Sequence, residues 1–358
     1  MTATTISSGN RAVEYDKKFF REYVRNQTFS DFTGTAITSP IVIKEAENAQ
    51  ISIPLVTRLS GNGVSGSTSL SGNEENIGNY AFVLNPTHYR HAVVIDAEEA
   101  EKPNFDIYAA ADPLLREWAM DMTREQIIQA LCAIEASGTY YKWADASAAN
   151  RNTYLVANSD RVLFGTAKSN YSGVMATDLA KVDSTNDTLD KGIIGIAKRM
   201  AMTASPAIRP WKSMEANYEQ FIMFVGSRAY RDLYSSLGTE LQNARERGQS
   251  NPIWQPGDLM IENVLVREVP EITSLLTTSS DFATAGNSSI PVEPCFLVGQ
   301  QALGWALQKR PKTSEKEDKD YDFVRGLGIT MKHDIKKMFY NAKQHGVVTI
   351  FVSGAADA

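Results

Sequence analysis

The chain has 358 residues, 43% hydrophobic and 22% charged, with a formal charge of −6. That length can bury a core without disulfides or metals, and the acidic balance excludes a protein whose main task is gripping nucleic acid by its phosphates. The only two cysteines, Cys132 and Cys295, sit in apolar neighbourhoods and read as buried, reduced thiols in a reducing compartment.

The N-terminal stretch MTATTISSGNRAVEY has no apolar segment and no cleavage pattern, so no signal peptide is expected. No run of 18 apolar residues predicts a membrane span. In EYDKKFFREYVRNQTF, Tyr15, Phe19, Phe20, Tyr23 and Val24 recur at helical spacing, which predicts a short amphipathic helix. Its aromatic stripe is wide for a helix so near a chain end. It docks either on its own core or on a neighbouring copy, and the pattern leaves both open.

Residues 50–59 alternate, with Ile51, Ile53, Leu55 and Leu59 opposite Gln50, Ser52, Pro54 and Arg58. A second alternation, Tyr89, His91, Val93 and Ile95, returns at 87–95. The two are expected to form a long hairpin with an elaborate glycine- and serine-rich tip. Inside that tip Gly61, Gly63 and Gly66 spell G-x-G-x-x-G. A dinucleotide loop must open a helix, but STSLSGNEENIG follows, and no P-loop lysine stands after Gly66. Phosphate binding is therefore not expected. His88 and His91 fall on opposite faces of a strand with no Cys or Asp cluster nearby, so no metal is expected.

Asp112-Pro113 reads as the start of the longest helix, with Leu115, Trp118, Met122, Leu131 and Ile134 on its apolar side, ending near Ala136. Residues 137–186 read as loop-rich, with many Ser, Asn and Thr. A helix capped near Thr188 carries Leu189, Ile193, Ile196, Ala197 and Met200. QFIMFVG predicts a buried strand, Ser227 the cap of a helix through Leu233, residues 259–269 one strand, and 295–307 a strand followed by a helix. The charge run KRPKTSEKEDKDYD, balanced in sign, predicts a solvated loop at 309–322. Phe323, Arg325, Leu327, Ile329, Met331, His333 and Ile335 alternate as a long strand, and VVTIFV is a final one. No G-x-S-x-G or H-E-x-x-H motif occurs.

This order of elements, with the stretches YDKKFFREYVRNQTF, FVGSRAYRDL, NPIWQPGDLMIENVLVREV, CFLVGQQALGWAL and DYDFVRGLGITMKHDIKKMFY, resembles the major capsid proteins of tailed bacteriophages. It is most similar to the N4-like podophage family, which has the Hong Kong 97-type shell fold. The resemblance spans about residues 14–353 and implies an α+β chain. Its expected parts are an N-terminal arm at 1–49, an extended β-hairpin loop at 50–97, a peripheral domain with spine helix at 98–139 and 321–358, and an axial domain at 140–320.

The resemblance implies a non-enzymatic subunit that assembles into hexamers and pentamers of an icosahedral head around double-stranded DNA. It implies location in the virion after assembly in the host cytoplasm. Expected partners are further copies of the chain, a separate scaffolding protein and a portal; a decoration protein is left open. DNA would be held by non-specific proximity, with no membrane, cofactor, metal or catalytic residue. Contacts between copies are expected at Tyr15, Phe19, Phe20, Tyr23, Arg58, Leu59, Leu70, Ile77 and Arg90. Residues 45–101 contain no lysine, so no isopeptide crosslink is expected from the extended loop. Two other readings stand beside this one: a nanocompartment shell protein of the same fold, and, from a different class, a cytoplasmic nucleotide-binding enzyme using Gly61–Gly66.

Overall fold

The computed structural model describes residues 28–45, 47, 50–57, 59, 61, 63–96, 98, 107–212, 219–238, 258–319 and 324–357. The expected N-terminal helix with Tyr15, Phe19, Phe20 and Tyr23, and also Arg58, lie outside them. Two compact units are present. The smaller draws on residues 88–122 and 309–332; the larger takes 28–87, 123–308 and 333–358.

Strands β1 (Thr33–Gly34) and β2 (Ile41–Glu45) pair in parallel. Strand β3 (Ile51–Val56) pairs antiparallel with β4 (Asn79–Leu84), Ile51 facing Leu84 and Val56 facing Asn79. The expected hairpin therefore exists with a different second strand, because β5 (Thr87–Asp96) joins another sheet. Pro86 has no N–H to offer a ladder and separates β4 from β5. The Asn85 N–H donates instead to Asp334 Oδ2 at 2.8 Å.

The longest helix is Ile107–Cys132, 26 residues. It begins before Asp112, so Pro113 is an interior residue and not the first helical one. The run IYAAA supplies good helix formers upstream of the proline, which outweigh the break it would signal. Ile134 is not on this helix but in β6 (Ile134–Ala136), which pairs with β7 (Thr139–Tyr141).

The segment read as loop-rich hides a helix, Ala148–Ala157, capped by Ser147, whose side chain accepts from the Asn150 N–H. Strand β8 (Val162–Phe164) follows. Asp190, not Thr188, caps the helix Lys191–Thr203 by accepting from the Ile193 N–H. Strands β9 (Trp211–Lys212) and β10 (Glu219–Val225) lead to the helix Ser227–Ser236, whose cap position is Gly226 and not Ser227.

Residues 259–269 are not one strand. Glu262 and Asn263, with φ of 50° and 65°, form a tight turn between β11 (Asp258–Ile261) and β12 (Val264–Glu268). Positive φ at both central residues gives the hairpin twist such a two-residue turn needs. After β13 (Val292–Val298), QALGWAL is not helical. It opens β14 (Leu303–Lys319), which also takes in much of the charge run expected as a loop. Residues 303–307 lie in parallel register on residues 41–45. Pairing with β2 and burial of Leu303 and Ala306 override the helix propensity of Ala and Leu. The chain closes with β15 (Val324–Lys337), β16 (Phe339–Tyr340), β17 (Lys343–Gln344) and β18 (Val347–Ser353).

In the larger unit the sheet β11-β12-β10-β13-β18-β8 has a core on each face. Strands β10, β13 and β18 are unbroken apolar runs because both faces are covered. Ile222, Phe224, Phe296 and Phe351 point one way, toward Trp143 and Phe282. Met223, Val225, Leu297 and Ile350 point the other, toward the helices at 191–203 and 227–236. In the smaller unit β15 lies between β14 and β5. Leu115 and Ala119 of the long helix pack there on Ile329 and Met331.

Candidate assembly surfaces

The β3–β4 ladder ends where the Thr57 N–H donates to the Gly78 carbonyl at 2.9 Å. Beyond it the tip is held by its own bonds. The Gly61 N–H donates to Glu75 Oε2 and the Gly72 N–H to Glu74 Oε2, each at 2.7 Å. The Asn73 N–H donates to the Leu70 carbonyl at 3.0 Å. Gly63, Gly66 and Gly72 have φ of 67°, 68° and 90°, with open space around each. No helix follows Gly66. An anion site needs backbone N–H groups aimed outward at the ligand, and here a carboxylate already takes the Gly61 N–H.

Leu59, Leu70 and Ile77 are 61%, 61% and 64% exposed on this tip. The structure thus gathers three of the expected contact residues on one projection. Arg90 is exposed too, but stands on β5 in the smaller unit.

Sequence reasoning missed the clamp where the chain enters the described structure. Arg267 Nη1 donates to the Thr28 carbonyl at 3.0 Å and to Asp31 Oδ2 at 2.7 Å. Its Nε and Nη2 donate to Asp258 at 2.9 and 2.6 Å, and its guanidinium lies 4.5 Å over the Phe32 ring. The hydrogen bonds it donates to Asp258 first, and then to Asp31, raise its pKa further despite burial. Phe29 and Phe32 meet Phe224 edge-on at 4.9 and 5.5 Å. The one available signal was cross-strand: Asp258 faces Arg267 in the β11–β12 hairpin.

Buried ionisable groups often mark catalytic sites, and the strongest here is Lys337. Its Nζ donates to the Leu131 carbonyl at 3.0 Å and to Gln344 Oε1 at 3.1 Å, beside the Tyr154 and Phe339 rings. Gln344 Oε1 also accepts from the Tyr154 hydroxyl at 2.8 Å. Every donor in this cluster turns inward onto the protein, which makes it a polar plug in the core. Burial lowers the Lys337 pKa from 10.5 to about 7, and holds His333 and His345 down at about 4. No three His, Cys, Asp or Glu side chains among the described residues are placed to hold a metal.

The plug has a measurable signature. Between the folded and unfolded pKa of Lys337 the unfolded chain binds more protons, so stability rises with pH, by about 1.4 kcal/mol per pH unit at most. The window to read is pH 7 to about 8.5, below the range where the buried thiols of Cys132 and Cys295, with raised pKa values, oppose the trend. Denaturant titrations should show that rise in the native chain and its loss in Lys337→Met. Equal slopes in the two would show that the ammonium is not desolvated.

A family profile described as "Phage capsid protein" matches residues 3–353. The major capsid protein of Pseudomonas phage KPP25 is 23% identical over 363 aligned positions, covering 94% of this chain and 93% of that protein. Among solved structures, the capsid asymmetric unit of cyanophage Pam1 superposes with a TM-score of 0.90 at 33% identity, covering 100% of both chains. The capsid of Ralstonia phage GP4 gives a TM-score of 0.73 at 21% identity over 99% of each chain.

Proposed function

The chain belongs to the phage capsid protein family, and from that membership we propose that its hairpin tip and N-terminal arm are the elements by which copies hold one another in the shell. It is a phage major capsid protein: a structural component of the virion, with the α+β capsid fold, many copies of which assemble into the shell. The nanocompartment and nucleotide-enzyme readings are not favoured by these relatives, and the occupied Gly61 amide speaks against the second.

The single observation that carries the proposal is the tip, residues 59–78, which presents Leu59, Leu70 and Ile77 to solvent in the isolated chain. Large apolar side chains clustered on a projection mark an interaction surface. A shell multiplies each such contact, so weak pairs add to a durable particle. The finer reading is an icosahedral shell of hexamers and pentamers of the Hong Kong 97 type, N4-like in lineage. It is built in the host cytoplasm with a separate scaffolding protein and a portal, and it has no catalytic role. The domain scheme is part of the reading: arm 1–49, extended loop 50–97, peripheral 98–139 and 321–358, axial 140–320. With a charge of −6, double-stranded DNA inside is held by closure and counterions, not by tight binding.

Negative-stain microscopy and light scattering of the chain, expressed with and without the neighbouring phage genes, should show closed particles. A monodisperse monomer under every such condition would sink the reading.

A further inference from the structure

Among the described residues, β5 stands at the end of the strand order β1-β2-β14-β15-β5. It runs for 10 residues, THYRHAVVID, without proline, glycine or lysine. Proteins guard a free sheet edge with proline, lysine, a bulge or a short strand, because its N–H and C=O groups are a template for another strand. Val93, Val94 and Ile95 instead give β5 the β-branched character of a strand that pairs.

Alternation divides the strand. Tyr89 and Val93 pack toward the long helix with Leu327, Ile329 and Met331 of β15, and His91 stacks on Trp118 with ring centroids 4.8 Å apart. The even positions Arg90, Ala92, Val94 and Asp96 therefore share the opposite face. All four are exposed there, Val94 by 63%. The backbone alternates too. The His91 carbonyl oxygen lies 3.5 Å from where a Cβ of Gly328 would stand, so it turns inward to β15. The N–H and C=O groups of the even residues turn the other way, out from the sheet edge. Among the described residues, Arg90 and Asp96 are in no ion pair.

Turned end for end, this strand complements itself. With Val93 opposite Val93, Arg90 faces Asp96 at both ends and Ala92 faces Val94 between them. In that register the outward backbone groups of residues 90, 92, 94 and 96 meet as the hydrogen-bonded pairs of an antiparallel ladder, and each opposed pair of side chains shares one face. A slide of one residue sets inward groups against outward ones, and a slide of two separates Arg90 from Asp96.

We propose that β5 is an interface with a second copy of this chain, in which two β5 strands pair antiparallel about Val93 and join their sheets edge to edge. The inference rests on the shell reading, in which identical surfaces meet across twofold axes. The match of Arg90 with Asp96 at both ends selects this occupant, since a partner of other sequence has no need of a self-complementary strand.

Hydrogen exchange of wild-type particles, resolved to single residues, tests the pairing without any mutation. The amides of Arg90, Ala92, Val94 and Asp96 should slow at least about tenfold in particles relative to the dissociated subunit. Those of His91 and Val93, already turned to β15, should change little. Intact particles whose even amides exchange as in the free subunit overturn the proposal and leave the shell reading standing; a wild-type chain that forms no particles strikes the shell reading itself. Disulfide trapping reads the register, and the native cysteines are buried. Particles co-assembled from Ala92→Cys and Val94→Cys chains should give mixed 92–94 dimers on mild oxidation. Neither variant alone should, because like positions then stand beyond the roughly 7 Å between Cα atoms that a disulfide spans. Dimers from one variant alone, or mixed particles without the 92–94 bond, overturn the register and the proposal with it. Arg90→Asp should cut particle yield at least about tenfold by opposing two carboxylates at each end, and adding Asp96→Arg should restore it. An Arg90→Asp subunit that melts normally and assembles at wild-type yield overturns the pairing.

Discussion

Replacing residues 58–77 by Asn-Gly is expected to abolish particle formation while leaving the subunit folded. The replacement joins Thr57 to Gly78, already hydrogen-bonded across the hairpin at 2.9 Å, by the two-residue turn that suits paired strands. Nothing in the removed segment is buried among its described residues, so no core contact is lost. Shortening the loop from 20 residues to two lowers its closure entropy cost, which should stabilise the subunit by about 2 kcal/mol. The shell, in contrast, loses the same contact in every copy, and multiplied weak contacts fail together, so yield by sedimentation should fall at least about tenfold. A shortened chain that melts far below wild type would make the tip part of the core. One that assembles normally would remove the hairpin from the contact surface.

Gly226→Ala is the substitution expected to damage the subunit itself most. A Cβ there would lie 1.6 Å from Glu293 Oε1 and 2.6 Å from Thr273 Oγ1. Glu293 is fully buried, and its carboxyl pKa is raised by burial. It accepts from the Thr273 hydroxyl, and from the Ala229 N–H at 2.7 Å. It thereby caps the helix Ser227–Ser236 from β13, in place of the side-chain cap that Gly226 cannot supply. Displacing it leaves an N–H and a carboxyl group unpaired in the core, a cost of about 3 kcal/mol or more. For a chain of this size the melting temperature should drop by roughly 4 °C or more. Adding Glu293→Ala should recover part of the loss, because the clash then has no partner. A Gly226→Ala chain that melts with wild type would show that the carboxylate sits elsewhere.

What the sequence made legible follows the range of the forces involved. Strands β10, β13 and β18 were readable because burial on both faces leaves unbroken apolar runs. The long strand β15 was readable because one buried face leaves strict alternation. The first strand of the hairpin and the character of its tip were visible for the same local reasons. Its second strand was not. In NYAFVL only Phe82 and Leu84 are buried, and the cleaner alternation of β5 drew the assignment away. QALGWAL reads as helix until β2, some 260 residues earlier in register, takes it as a parallel partner. The clamp on the arm was equally hidden: Arg267 and Asp31 are separated by 236 positions, and no local spacing announces a pair formed by folding alone.

The left-handed glycines at 63, 66 and 72 bear on a general difficulty of closed shells. Identical chains must reach neighbours that stand at slightly different distances and angles around a curved surface. The paired strands β3 and β4 act as a stiff shaft, while the glycines, in open space, let the end of that shaft bend without disturbing anything packed. On the proposed reading of the hairpin as a contact between copies, local misfit is absorbed at the fingertip, and the densely packed sheet behind it keeps one shape in every copy.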